Sequence, residues 1–132
     1  MLTIPWTSSK DRAPTPTLTQ ISRLELARAR DVPGFLIAAL RIRRVALRTP
    51  GNGGISLRAQ PLRRTFWTLS TWNDDDSIGA FMRSDVHRAA MVAYRDRMAG
   101  SHFHTWSAAD PSTSKPSWVD ARRRYEASPG RP

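Results

Sequence analysis

The chain has 132 residues, a formal net charge of +10 and no cysteine, which bounds it to one domain with ragged ends and excludes disulfides and thiolate metal sites. No apolar run is long enough to span a membrane, and the opening MLTIPWTSSK lacks an apolar signal core, so a cytoplasmic location is expected. The charge raises nucleic acid as a partner, but the nineteen Arg and two Lys are scattered with no binding motif beside them, which disfavours that reading.

Residues 1–16 hold Pro5, Pro14 and Pro16 among Ser and Thr. They read as an extended or disordered arm, with Trp6 free to dock on the body or on a partner. Thr17–Leu26 reads as the first strand, with Leu18, Leu24 and Leu26 on one face. Gln20 and Ser22 share that face; they suit either a pocket lining or an edge position.

Asp31 is expected to cap a helix, with Pro33 in its first turn and Pro50–Gly51 as its stop after Arg48. Val32, Phe35, Leu36, Ala39, Ile42 and Ala46 form its apolar arc. Arg43 falls inside that arc, near the helix C-terminus. A buried guanidinium needs an anion. Arg43 therefore either snorkels or pairs within the fold, or serves as a cationic clamp for a ligand carboxylate. A PGNGG turn leads into a short strand over Ile55–Ala59.

Arg64–Trp72 is the expected central strand. Phe66, Thr68, Ser70 and Trp72 take one face; Thr65, Trp67 and Leu69 take the other. A half-buried strand is apolar on one face only, so aromatics on both faces demand cover on both. Helices of the chain would supply one cover and a second copy the other, making a homodimer through the sheet.

Asn73 or Asp74 caps the next helix, whose acidic start suits the positive end of the helix dipole. It carries Ile78, Ala80 and Phe81 and restarts at Ser84–Asp85. The expected end is Met98, closed by Gly100. His87, Met91, Tyr94 and Met98 fall on one stripe, either core or pocket wall. His87 is either a satisfied core or interface histidine or a working base. Ser101–Trp106 reads as the last strand, with His102, His104 and Trp106 on one face. No third metal ligand is evident beside the two histidines, so no metal site is expected. From Ala108 the chain is Pro- and Ser-rich, with a short helix expected over 118–126 and a disordered SPGRP end.

The order strand, helix, strand, strand, helix, strand predicts an α+β fold: a ferredoxin-like βαββαβ domain over 17–107. It has a four-stranded antiparallel sheet with two helices on one face, flanked by the arm 1–16 and the tail 108–132. Two bare faces packed together would make a dimeric α+β barrel with C2 symmetry.

The run FWTLSTWNDDDSIGAFMRSDVHRAAM (66–91) resembles the strand, acidic turn and helix of the dimeric α+β barrel superfamily, in particular its antibiotic-biosynthesis-monooxygenase-like proteins. GFLIAALRIRRVALRTPGNGG (34–54) followed by the Trp strand resembles the spheroidene-monooxygenase-like branch. The resemblance covers about residues 17–107 and implies fold more sharply than activity. Haem-degrading members carry a Trp on the second helix and a haem-ligating His ten residues later; at that spacing this chain has Phe81 and Met91. The implied cofactor is therefore none, or haem without its usual ligand.

The resemblance implies a monooxygenase-like small barrel holding an apolar substrate, polycyclic or isoprenoid, between helices and sheet. Cofactor-independent members let the bound substrate activate oxygen, with the protein supplying a dry pocket and a base. On that reading His87 is the base, Trp72 and Tyr94 are walls and donors, Phe81 and Met91 are further walls, and Arg43 is the clamp. A non-catalytic binding or sensing module is the alternative; a basic nucleic-acid binder is less favoured.

Overall fold

The computed structural model describes residues 1–9, 17–107 and 116–128. Five strands, β1 (Leu2–Ser8), β2 (Leu18–Leu26), β3 (Asn52–Gln60), β4 (Thr65–Trp72) and β5 (Met98–Ser107), form one antiparallel sheet in the order β1-β3-β4-β2-β5. Four helices accompany them: α1 (Val32–Arg48), α2 (Asp75–Met82), α3 (Asp85–Tyr94) and α4 (Trp118–Ala127).

β2 to β5 with α1 to α3 make the expected ferredoxin-like α+β core. The sheet, however, has five strands rather than four. β1 adds to the free edge of β3, with Ile4 opposite Leu57 and a register shift between Ile4 and Thr7. Pro5 sits inside this strand, which an edge tolerates because one side of the backbone makes no ladder bonds. The irregular stretch lets Trp6 lie directly on Gly54, where a Cβ would fall 2.4 Å from the indole. The Pro-rich parts of the two tails fall on residues 10–16, 108–115 and 129–132, outside the described residues.

One sheet face packs on α1, α2 and α3 around Leu26, Phe35, Ala39, Leu57, Phe66, Trp72 and Phe81. The opposite face carries Ile21, Trp67 and Leu69, all buried. The sequence led us to expect a second copy there; in this chain α4 lies over them, through Ala121 and Tyr125 with Trp6, Trp106 and Trp118 around them. Two large apolar faces were legible in β4; α4 supplies the second cover in cis.

Helix ends follow local chemistry with two corrections. Asp74 caps α2 by accepting from Ser77 N at 2.8 Å, and Ser84 caps α3 by accepting from His87 N. Asp31 precedes α1 but makes no cap bond; its carboxylate pairs with Arg97 at 3.2 Å. α3 stops at Tyr94 rather than Met98, because Arg95–Arg97 tighten into a 3-10 turn. Met98 then pairs with Leu26 as the first residue of β5. A strand partner outweighs one more helical turn there.

Candidate functional site

A cavity of about 180 Å³ lies between the helices and the sheet. Phe35, Leu36, Ala39 and Ile42 of α1, Phe81 and Met82 of α2, and His87 and Met91 of α3 line it. Leu24, Ile55, Leu57 and Phe66 extend the apolar wall across the sheet.

The floor is polar in one place. Gln20 and Ser22 on β2 stand opposite Ser70 and Thr68 on β4, so four polar residues form a square in the lining. β2 is flanked by β4 and β5, so these are pocket positions and not edge positions. Their groups are largely paired: Ser22 with Thr68, Gln20 Nε2 donating to Thr105 Oγ1 at 3.3 Å, and Trp72 Nε1 donating to Ser70 Oγ at 2.9 Å. Spare lone pairs on these oxygens can accept from a ligand.

His87 stands in the wall. Ser84 fixes the start of its helix, the Phe81 ring meets the imidazole edge-on at 5.0 Å, and the side chain is buried. Its Nδ1 is buried and has no hydrogen-bond partner among the described residues. Burial holds the imidazole below its ordinary value near 6.5, partly offset by the Met82 backbone nearby. The ring is therefore neutral at neutral pH, with a nitrogen that can take a proton.

Phe81, His87 and Met91 thus converge on one cavity. Trp72 does not line it: fully buried, it lies behind Phe81 with ring centroids 5.2 Å apart. Tyr94 is also outside the lining. It packs edge-on against Phe35 at 5.0 Å, and its hydroxyl lies where a side chain on Gly34 would stand, 2.7 Å from the Cβ position. Arg43 points elsewhere, Nη2 donating to Thr7 Oγ1 on β1 at 2.7 Å. Its place in the apolar arc came from helical periodicity alone; the added edge strand gives the guanidinium a partner away from the cavity. Thr68 and Ser70 were not singled out from the sequence, although they alternate with Phe66 and Trp72 on the covered face, the same signal that marked Gln20 and Ser22.

A scan against protein-family models finds no match, and a search of curated proteins finds none. Solved structures do match. A provisionally named antibiotic biosynthesis monooxygenase from Nitrosomonas europaea superposes with a TM-score of 0.66 at 13% identity, over 75% of this chain and 96% of that one. One from Bacteriodes thetaiotaomicron gives 0.65 at 12% identity, over 74% and 94%. SnoaB, a cofactor-independent oxygenase from Streptomyces nogalater, gives 0.59 at 18% identity, over 72% and 95%. The fold is that of the antibiotic-biosynthesis-monooxygenase-like proteins. The likeness lies in the fold, and it does not single out the spheroidene-monooxygenase-like branch. Among the described residues no helix is long and apolar enough to cross a membrane.

Proposed function

We propose that this chain is a monooxygenase-like protein that holds a small apolar molecule with one acidic O–H or C–H group in the cavity, with His87 as the base. The observation that carries this reading is the buried, unpartnered Nδ1 of His87 beside an apolar cavity with a polar floor. Proton removal by His87 would leave an enolate or phenolate, the electron-rich form of a substrate that can itself reduce dioxygen. The floor hydroxyls would hold the ligand's polar group, and the apolar wall would keep water out. A solved structure of this fold is titled a cofactor-independent oxygenase, which supports this chemistry by analogy of fold.

The volume narrows the ligand. A cavity of about 180 Å³ compares with the roughly 150 Å³ apolar cavity that takes up benzene. It lies below the roughly 300–1,000 Å³ of drug-sized sites. A one-ring or short-chain molecule fits better than the polycyclic or isoprenoid substrate expected from the resemblance. Haem is larger than either.

One observation favours binding without turnover: the floor groups already have partners within the fold, Ser22 with Thr68, Gln20 with Thr105 and Ser70 with Trp72, as suits a rigid receptor. Oxygen uptake with one-ring phenols and enolisable ketones separates the two. An enzyme consumes dioxygen and loses that activity in His87→Ala. A binding module takes up the same molecules with no oxygen consumed, and absence of any saturable binding would refute both.

A further inference from the structure

On the sheet face opposite the cavity, a second cleft of about 640 Å³ opens to solvent between α4 and the β3–β4 turn. Its lining is basic. Arg23 of β2, Arg63 and Arg64 of the turn, and Arg122 of α4 face two carboxylates, Glu25 and Glu126. Glu25 meets Arg23 at 3.7 Å, and Glu126 is exposed. The buried Trp67 and Tyr125 close the inner end. Strand register gathers the charge there. Arg23 on β2 and Arg58 on β3 both lie directly across from Trp67, and Arg122 lies over its indole at 4.0 Å. Burial, and then the charge of Arg122, hold the Arg58 guanidinium below its ordinary value. Cations that crowd in this way favour an anion among them.

We propose that this cleft binds a phosphate group, free or carried by a small organic molecule, with Arg122 and Tyr125 as its inner donors. Three observations carry this. First, Arg122 Nε and Tyr125 Oη are buried with no hydrogen-bond partner among the described residues, and Tyr125 is only 3% exposed. A guanidinium N–H can only donate, and a phenol offers its proton too. Both groups therefore call for an acceptor oxygen. Second, α4 directs its arginines apart. Asp120 takes Arg123 at 2.8 Å and Arg124 at 2.9 Å, while Arg122 turns to the sheet. Third, Arg64 is held in place by a left-handed backbone, φ 53°, and by Nε donating to Leu26 O at 3.0 Å. A guanidinium fixed beforehand loses little freedom on binding.

The shape selects phosphate over carboxylate. Cationic groups reach the cleft from α4, β2 and the turn, so they surround a tetrahedral oxyanion rather than one edge of a flat one. Four arginines against two glutamates leave two positive charges, which match the charge of about −1.5 to −2 on a phosphate monoester at neutral pH. The guanidinium fork suits its oxygens. The volume falls within the roughly 300–1,000 Å³ of small-molecule sites, so room remains for an organic group. The site lies across the sheet from His87 and is independent of the cavity.

The test is titration of the full-length protein with inorganic phosphate and, separately, with glycerol 3-phosphate. Chloride at about 0.15 M screens diffuse attraction. NMR follows the Nε–H of Arg122 and the indole N–H of Trp67, which donates to Gln60 Oε1 at 3.2 Å. Both signals are expected to shift saturably with one affinity. Tighter binding of the monoester assigns the site to an organic phosphate, and tighter binding of the free ion to phosphate itself. Arg122→Gln should weaken binding about tenfold or more, as loss of a bond to a charged group does. Tyr125→Phe keeps the ring against Trp67 and should weaken binding several-fold with no loss of thermal stability. It serves alone should Arg122→Gln fail to fold. Arg44→Gln, exposed on α1 behind the other sheet face, should leave the affinity unchanged. No saturation by either anion overturns the proposal. So does an affinity untouched by Tyr125→Phe, or one lost equally in Arg44→Gln.

Discussion

Ala39→Leu is the sharpest test of whether the space above the sheet is a true cavity. Ala39 is buried, lies on α1 and faces that space. Leucine adds three carbons. Filling empty apolar space contributes about 0.8 kcal/mol per carbon, roughly 2 kcal/mol in all. Fixing the leucine rotamer costs about 0.5–1 kcal/mol, and helix propensity barely changes. The net expectation is a gain of about 1–2 kcal/mol. In a close-packed core the same change forces side chains off their rotamers and costs about 1–3 kcal/mol. The two cases differ in sign, so urea unfolding decides. With a slope of about 1–3 kcal/mol per molar for a small protein, the midpoint should rise by roughly 0.3–2 M. Phenol binding should be lost in the same variant. A lowered midpoint with an unchanged slope refutes the cavity.

Further outcomes follow from the same geometry. Burial depresses the folded-state affinity of His87 for a proton, so as pH falls the unfolded chain protonates first. The stability from neutral His87 is complete above about pH 6.5 and is lost as pH falls through the lowered folded value. Urea midpoints at about pH 7.5 and 5 should therefore differ less in His87→Gln than in the wild type. Ser84→Ala removes the acceptor for His87 N and should cost about 1 kcal/mol, read as a lower thermal midpoint. Arg43→Leu removes the bond to Thr7 and should cost roughly 0.5–1.5 kcal/mol. Calorimetry should show its phenol affinity unchanged, since Arg43 is outside the wall.

The two-faced pattern of β4 carried the most information in the sequence. Aromatics on both faces required cover on both, and the structure buries Trp67 and Trp72 alike. What covers Trp67 was not legible. α4 offers only Trp118, Ala121 and Tyr125 toward the sheet, set among Arg122, Arg123 and Arg124, and reads as a polar tail segment. β1 was obscured by Pro5, whose penalty disappears at an edge. The stripe of His87 and Met91 was readable from helical spacing, and both reach the cavity. Its continuation to Tyr94 and Met98 was not, because the helix ends at Tyr94 and Met98 joins β5. Periodicity locates a face; it does not report where a tertiary partner ends the element.

The three histidines allow one direct measurement of the central claim. His87 lines the cavity, whereas the rings of His104 and of His102, whose stretch of β5 borders the cavity, lie on the opposite sheet face, against Trp106 and Tyr125. Phenol is titrated into the full-length protein while NMR follows the ring protons of all three histidines and the methyl group of Met91. The cavity reading predicts saturable shifts at His87 and Met91 with one shared affinity, and none at His102 or His104. Shifts confined to His102 and His104, or no saturation at His87, would contradict it.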